Sequence, residues 1–199
     1  INSVLSLILL FAVSPVLEIS FGYSTRFRLM ELMSLEQPLM QELMVTVPGT
    51  YHHSLVVANM VEAGAKAIGA NSLLCKVAAL YHDVGKLSYP EYFIENQFGA
   101  QNPLKEMPYE QAAKLIISHV TDGVELAKRS HLPEQIINFI TTHHGISKTK
   151  YFYNLFCNDN PDIKPDDSIF TYPGPLPNSK ETAILMMADA VEARVRSLK

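Results

Sequence analysis

Apolar residues recur at intervals of three and four positions along most of this chain, and no stretch alternates apolar and polar residues as a half-buried strand does. The segment from Tyr51 to Ile68 shows the pattern best, because its apolar side chains form one stripe that stops before Gly69. Such spacing places the apolar side chains on one face of a helix, where other helices can bury them. The sequence therefore predicts an all-α domain, built as a bundle of helices.

Cap and turn residues indicate where individual helices begin and end. Asn71 or Ser72 can cap a helix that runs as far as His82. The last helix is preceded by Asn178, with Glu181 three residues further on, a spacing typical of a capping box. We therefore expect His82 at the C-terminal end of its helix, where the backbone is free to turn.

Two long stretches lack a helical period. Residues 88–107 mix aromatic, proline and amide residues, and residues 146–177 contain five of the twelve prolines. Between them, helical spacing runs from Pro108 to Pro133 and again from Pro133 to His144. We predict a loop or lid at 88–107 and an irregular excursion at 146–177, and loops of this length in a compact domain are usually functional.

The first part of the chain carries a separate signal. Val4 to Leu17 is almost continuously apolar, but it is shorter than the roughly 20 residues that span a bilayer. No basic residue precedes Arg26, which argues against a signal peptide, and the chain begins with Ile rather than Met. We expect residues 1–22 to be the end of a transmembrane helix of a longer protein; a buried hydrophobic helix is the alternative. Arg26 and Arg28 then favour the cytoplasmic face of the membrane for the domain that comes after them.

The remaining residues divide into a helical connector at 23–47, broken at Pro38, and one domain at 48–199. The formal net charge of −4 provides no basic field for a nucleic-acid backbone, so a polymeric nucleic acid is not the expected partner. Cys75 and Cys157 belong to no CxxC pair, so the sequence gives no support for a zinc knuckle or a disulfide framework and favours a reducing, cytoplasmic compartment.

Histidines and aspartates form the most informative set in the chain. Imidazole and carboxylate ligands together favour Mn²⁺, Fe²⁺, Zn²⁺ or Co²⁺ over Mg²⁺ or Ca²⁺. Asp83 can bridge two ions, because a carboxylate has two oxygens. Asp189 lies in an apolar helical run and needs a cation or several donors there; a structural helix cap is the alternative. The candidate metal ligands are His53, His82, Asp83, His119, His143, His144 and Asp189.

Other polar and aromatic residues near this set are weaker candidates. Lys86 lies three residues beyond Asp83 and can reach a metal-bound phosphate, although an exposed lysine at a helix end is the alternative. His52 is a less favoured ligand than its neighbour, and His131 is expected at the surface. Four aromatic residues can stack on a base or pack in the core: Tyr92, Phe93, Tyr151 and Tyr153.

Taken in order, the pattern H…HD…H…HH…D, with HDVGK at 82–86, resembles the HD superfamily of metal-dependent phosphohydrolases. Four further strings resemble the seven-transmembrane HD family more narrowly: PGTYHHS at 48–54, YFIENQ at 92–97, FTYPGPLPNSKE at 170–181 and AILMMADAVEA at 183–193. The resemblance covers most of the chain after residue 48. It implies an all-α HD bundle around a dinuclear metal site, placed directly after the last membrane helix.

The same resemblance implies an activity and a division of ligands. Characterised members of that family hydrolyse cyclic di-AMP to pApA with iron or manganese, by attack of a hydroxide that bridges the two ions. Asp83 and Lys86 would be the catalytic residues, with Lys86 in contact with the phosphate of the substrate. Of the aromatic candidates above, Tyr151 and Tyr153 are the predicted substrate contacts, independently of the resemblance. The implied ligands are His53, His82, Asp83 and Asp189 for one ion, and Asp83, His119, His143 and His144 for the other.

Two alternatives remain open at this point. A related group of HD enzymes cuts cyclic di-GMP, but the GYP tripeptide that marks it is absent here and PGP stands at 173–175 instead. A sensing module that binds a cyclic nucleotide with little catalysis is the second alternative. The complete ligand set favours an enzyme, since a sensor could dispense with seven ligands.

Overall fold

The computed structural model describes residues 2–97, 99 and 102–198. Five residues lie outside this part: 1, 98, 100, 101 and 199. They fall in the predicted segments 1–22, 88–107 and 48–199. The described residues form helices and short 3₁₀ turns, with one isolated bridge between Lys148 and Thr171. The predicted all-α class is confirmed. The helices are α1 (Asn2–Phe21), α2 (Arg26–Leu32), α3 (Pro38–Thr46), α4 (Pro48–Ala67), α5 (Ser72–Tyr81), α6 (Tyr109–Arg129), α7 (Glu134–Thr142), α8 (Lys150–Asp159) and α9 (Lys180–Arg196).

The main core is buried between α4, α5, α7 and α9, and the connector helices α2 and α3 pack on it. Val57 and Val61 of α4 are fully buried, as are Val77 of α5 and Leu185 of α9. A second cluster, centred on Phe170, holds α6 and α8 together. Because both cores lie between helices rather than at their ends, the ends of α5 and α7 are free to present polar side chains.

Two predictions about local structure are wrong. Residues 146–177 are not wholly irregular, because they contain α8, whose Phe156 packs on Phe170. The surrounding prolines and aspartates conceal this helix in the sequence. The capping box of α9 is formed by Ser179 and Thr182 rather than by the predicted pair. Glu181 instead accepts a hydrogen bond from the backbone N–H of Asn71, the residue that caps α5.

The apolar N-terminal segment forms α1. Val4, Leu7 and Phe11 on this helix are each more than half exposed. Among the described residues, no helix is both long enough and apolar enough to cross a membrane.

Candidate metal centre

Five elements bring the predicted metal ligands to one place in the fold. His53 comes from α4, His119 from α6 and Asp189 from α9, while the ends of α5 and α7 each supply an adjacent pair. Six of the seven side chains are buried, and His144 is partly exposed. The backbone leaves the helical conformation at Asp83, with φ −104° and ψ 15°. That turn lets His82 and Asp83 face the same centre, which two neighbours within a helix cannot do.

A close backbone contact fixes the turn that carries Asp83. The 3₁₀ turn Val84–Ser88 lies directly against α6. A Cβ atom on Gly85 would lie 1.8 Å from the carbonyl oxygen of His119 and 2.5 Å from the backbone nitrogen of Gly123. Glycine is therefore required at position 85, and its absence of a side chain sets the distance between Asp83 and His119.

The two carboxylate oxygens of Asp83 face different histidines. Oδ2 lies 3.5 Å from Nε2 of His53 and 3.4 Å from Nε2 of His82. Oδ1 lies 3.4 Å from Nε2 of His119 and 3.7 Å from Nε2 of His143. Ligand atoms about 2.1 Å from a shared ion at right angles lie roughly 3 Å apart, so these spacings fit ions between the groups.

Asp189 faces both halves of the cluster from the opposite helix. Its Oδ1 lies 3.0 Å from Nε2 of His53 and 3.7 Å from Nε2 of His82. Its Oδ2 lies 3.9 Å from Nδ1 of His144. The ligand atoms fall into two groups, and within each group they lie close enough together to hold an ion. One group is His53, His82 and Asp83, and the other is His119, His143 and His144.

The hydrogen bonds of three imidazoles show that the cluster suits a cation. Nδ1 of His82, His119 and His143 lies 2.6–2.8 Å from the backbone carbonyl three residues earlier. A carbonyl oxygen only accepts, so Nδ1 carries the proton in each ring. Nε2 of His119 lies 3.2 Å from Nε2 of His143, and burial, which lowers the pKa of both rings, favours neutral imidazoles whose lone pairs face each other there. A metal ion removes that repulsion, and backbone bonds of this kind orient metal-binding histidines.

Charge in the cluster follows from burial and from the carboxylates. Burial lowers the pKa of His119, and burial together with the neighbouring imidazoles lowers that of His143 to about 3. Burial also opposes a charge on His82, but Asp83 and Asp189 outweigh it and raise its pKa to about 10. Burial opposes ionisation of Asp83 too, yet Lys86 holds its pKa well below the usual range.

Nε2 of His82 nevertheless makes no hydrogen bond to any described residue. The negative charge of Asp83 and Asp189, which raises the pKa of this ring, also favours a metal ion beside Nε2, because a metal binds the unprotonated imidazole nitrogen. The residues present therefore fit a metal ion chemically as well as geometrically.

Lys86 is buried rather than exposed at a helix end. Its Nζ lies 2.7 Å from Oδ2 of Asp83 and 2.6 Å from Oε1 of Glu95, and it also lies over the ring of Phe93. Glu95 in turn accepts a hydrogen bond from the hydroxyl of Thr50 at the start of α4. Glu95, which sequence reasoning did not single out, thus attaches the loop after residue 88 to the centre.

Two further residues on α9 were missed. Oε2 of Glu192 lies 2.5 Å from Nδ1 of His53, and this hydrogen bond orients the imidazole ring. Arg196 lies near both Glu192 and Glu95. The sequence did contain a pattern that indicates these two residues. Asp189, Glu192 and Arg196 are spaced by three and four residues, so they share one face of a helix.

Tyr172 also belongs to the centre, although the sequence indicated it only within a longer motif. Its ring stacks on His144, with centroids 4.2 Å apart and planes inclined by 28°. No described hydrogen bond orients His144, in contrast to the other four histidines. The ring of His144 is held instead by packing on other rings, and Tyr172 is the one of these that is not itself a candidate ligand.

This contact leads to a prediction about metal affinity. We expect Tyr172→Ala to weaken metal binding by about tenfold or more, as loss of an outer-shell partner does. Tyr172→Phe keeps the stacked ring and should remain within about threefold of the wild type. Competition with a chelator of known affinity measures both. Equal losses in the two variants would show that the hydroxyl, not the stacking, matters.

The aromatic candidates differ in their distance from the cluster. Phe93 lines the cavity at the metal cluster. Tyr151 is largely exposed beside a different cavity, and Tyr153 packs on Phe170. Neither tyrosine is among the residues that line the cavity at the metal cluster. Their contact with substrate therefore stays a prediction. His52 is exposed, and so is His131, as expected.

The cluster opens into a cavity of about 170 Å³. Lys86 and Arg196 are the two basic side chains that line it among the described residues. Its apolar lining residues are Phe93, Ile116, Tyr172 and Ala193. The cavity therefore offers positive charge to an anionic ligand, with Lys86 nearest to Asp83.

Comparison with known proteins places the chain in a family. The family model described as HD domain matches residues 50–194, so the chain belongs to the HD domain family. It is 46% identical over 185 residues to the cyclic-di-AMP phosphodiesterase PgpH of Listeria monocytogenes, covering 93% of this chain and 26% of that protein. It is 42% identical over 193 residues to PgpH of Bacillus subtilis, covering 97% and 27%. The chain spans about a quarter of the length of these curated relatives.

A solved structure gives the same result for the fold. The crystal structure of the L. monocytogenes PgpH HD domain in complex with cyclic di-AMP matches with a TM-score of 0.78 and 46% identity, covering 82% of this chain and 76% of that one. Together with the histidine–aspartate cluster, membership of the HD domain family indicates that this centre binds metal.

Proposed function

We propose that this chain is the catalytic domain of a phosphodiesterase that hydrolyses cyclic di-AMP to pApA at a centre of two metal ions. The observation that carries the proposal is the division of the Asp83 oxygens, one toward His53 and His82 and the other toward His119 and His143. Similarity to two curated cyclic-di-AMP phosphodiesterases, and to a domain solved with cyclic di-AMP, supports the choice of substrate.

Each ligand has a proposed place. Asp83 would be shared by two ions of iron or manganese, with Asp189 on the side of His53 and His82. Two divalent ions supply Lewis-acid stabilisation of charge on a phosphate and lower the pKa of the water that they bind. The ligand sets proposed for the two ions are His53, His82, Asp83 and Asp189, and Asp83, His119, His143 and His144.

The surrounding side chains prepare the cavity for a phosphodiester. Lys86 is buried, positively charged and held by Glu95, so it can attract a phosphate oxygen without moving. Phe93 and Ile116 add apolar surface to the cavity beside the cluster. Glu192 keeps the proton of His53 on Nδ1 and so leaves Nε2 free to bind an ion.

The same proposal extends to the rest of the chain. Residues 1–22 are proposed to be the end of a transmembrane helix, residues 23–47 a connector and residues 48–199 the HD domain. The exposed apolar side chains of α1 support this division. The domain would then lie at the cytoplasmic face of the cell membrane, where a second messenger is accessible.

A hydrolysis panel tests the activity. The chain is incubated with Mn²⁺ or Fe²⁺ and with cyclic di-AMP, cyclic di-GMP or pApA, and products are separated by chromatography. We expect pApA from cyclic di-AMP, slower cleavage of cyclic di-GMP and little loss of pApA. Tight binding of cyclic di-AMP by the metal-loaded, folded chain without any product would favour a sensing module instead.

A further inference from the structure

The cavity at the metal cluster is too small for a whole cyclic dinucleotide. Its volume is about 170 Å³, whereas pockets that enclose ligands of drug size measure roughly 300–1,000 Å³. A cyclic dinucleotide contains two phosphodiesters, two riboses and two bases. One phosphodiester can therefore reach the cluster, and the other must remain near the rim of the cavity.

The two basic side chains of the cavity differ in how firmly they are held. Lys86 makes ion pairs of 2.6 and 2.7 Å, and its side chain is 11% exposed. The guanidinium of Arg196 lies 3.6 Å from Glu95 and 3.6 Å from Glu192, beyond hydrogen-bond distance, and its side chain is 36% exposed. Among the described residues, the side chain of Arg196 makes these two long ion pairs and donates no hydrogen bond. Its N–H groups can therefore donate to a ligand at the rim, whereas Lys86 is held by two short ion pairs inside the cavity.

The positions of the two glutamates explain why Arg196 stays there. Glu192 orients His53, and Glu95 holds Lys86, so both carboxylates are fixed by other contacts. Their charge attracts the guanidinium to the rim without occupying its N–H groups. A phosphate could accept from these groups without the loss of any existing hydrogen bond.

We propose that Arg196 binds the phosphodiester of the substrate that is not cleaved, and so selects cyclic dinucleotides over substrates with one phosphate. This inference rests on the proposed function. A guanidinium presents paired N–H donors that match two phosphate oxygens, which a lysine ammonium cannot do in the same way. Lys86 acts at the phosphodiester beside the metal cluster, and Arg196 binds the second phosphodiester, on the opposite side of the cyclic dinucleotide.

The test compares two substrates in Arg196→Gln, with Arg194→Gln as the matched control. Arg194 lies on the same helix, is exposed and does not line the cavity. In Arg196→Gln, we expect the KM for cyclic di-AMP to rise at least about tenfold, because a hydrogen bond to a charged group is lost. The kcat should remain within about twofold of the wild-type value. Cleavage of bis(p-nitrophenyl) phosphate, which has one phosphodiester, should stay unchanged. Arg196→Lys should recover only part of the affinity.

A binding measurement gives a readout that does not depend on turnover. Calorimetry with the hydrolysis-resistant bis-phosphorothioate analogue of cyclic di-AMP should show the same loss in Arg196→Gln and none in Arg194→Gln. Metal content should equal that of the wild type in both variants. Three results would each overturn the role of Arg196. They are an equal loss of activity on cyclic di-AMP and on bis(p-nitrophenyl) phosphate, a lower metal content in Arg196→Gln, and unchanged binding of the analogue by Arg196→Gln. A wild-type chain that leaves cyclic di-AMP intact would instead refute the proposed function.

Discussion

Asp83→Ala is expected to lose both metal ions and to reduce cyclic di-AMP hydrolysis by far more than the roughly 100-fold that accompanies loss of an outer-shell partner. The physical reason is that Asp83 supplies one oxygen to each half of the cluster. The substitution also removes one of the two carboxylates paired with the buried Lys86, so its positive charge beside the metal sites is balanced by Glu95 alone.

Two further variants make this result specific. His119→Ala removes a ligand from one half of the cluster and should mainly lose one ion. His52→Ala changes the exposed neighbour of His53 and should retain both ions. Metal analysis of the purified proteins, with circular dichroism to verify folding, measures all three. Two ions per chain in folded Asp83→Ala would refute the bridging role.

The second large effect is on stability. Gly85→Ala would place a methyl group 1.8 Å from the backbone oxygen of His119, and a backbone atom cannot rotate away as a side chain can. We expect a loss of about 3 kcal/mol or more in the free energy of unfolding, which lowers Tm by roughly 10 °C in a chain of this size. The turn must also move away from α6, so metal affinity should fall with stability.

Gly64→Ala is the matched control for this substitution. Gly64 lies inside α4, and a Cβ there would meet its nearest atom, on Ile184, at an ordinary 3.6 Å. Alanine is the better helix former by up to about 1 kcal/mol, so Tm should stay or rise. Thermal unfolding followed by circular dichroism compares the two. A Tm for Gly85→Ala equal to that of the wild type would show that the close contact is not required.

The metal centre was accessible to sequence reasoning because its chemistry is carried by residue types that stand out individually. Histidines beside an apolar stripe and an aspartate within one are unusual enough to be grouped before any fold is known. The predicted helix end at His82 is what lets His82 and Asp83 face one centre. The structure brings together all seven residues selected on this basis.

The contacts that support the centre were less accessible, because they join distant segments. Whether Lys86 is buried depends on Glu95, and the position of Glu95 depends on Thr50 at the start of another helix. Tyr172 lies in a proline-rich stretch whose path no periodicity describes. Helix α8 was missed for a related reason, since tertiary packing of its aromatic residues outweighs the local proline and aspartate signals.

Hydrolysis of cyclic di-AMP is expected to require two metal ions held by one shared aspartate. Titration of the metal-free chain with Mn²⁺ under anaerobic conditions, with pApA formation measured at each addition, tests this requirement. The rate should remain low through the first equivalent and reach its maximum at two equivalents per chain. Full activity at one equivalent, or no pApA at any metal concentration, would contradict this expectation.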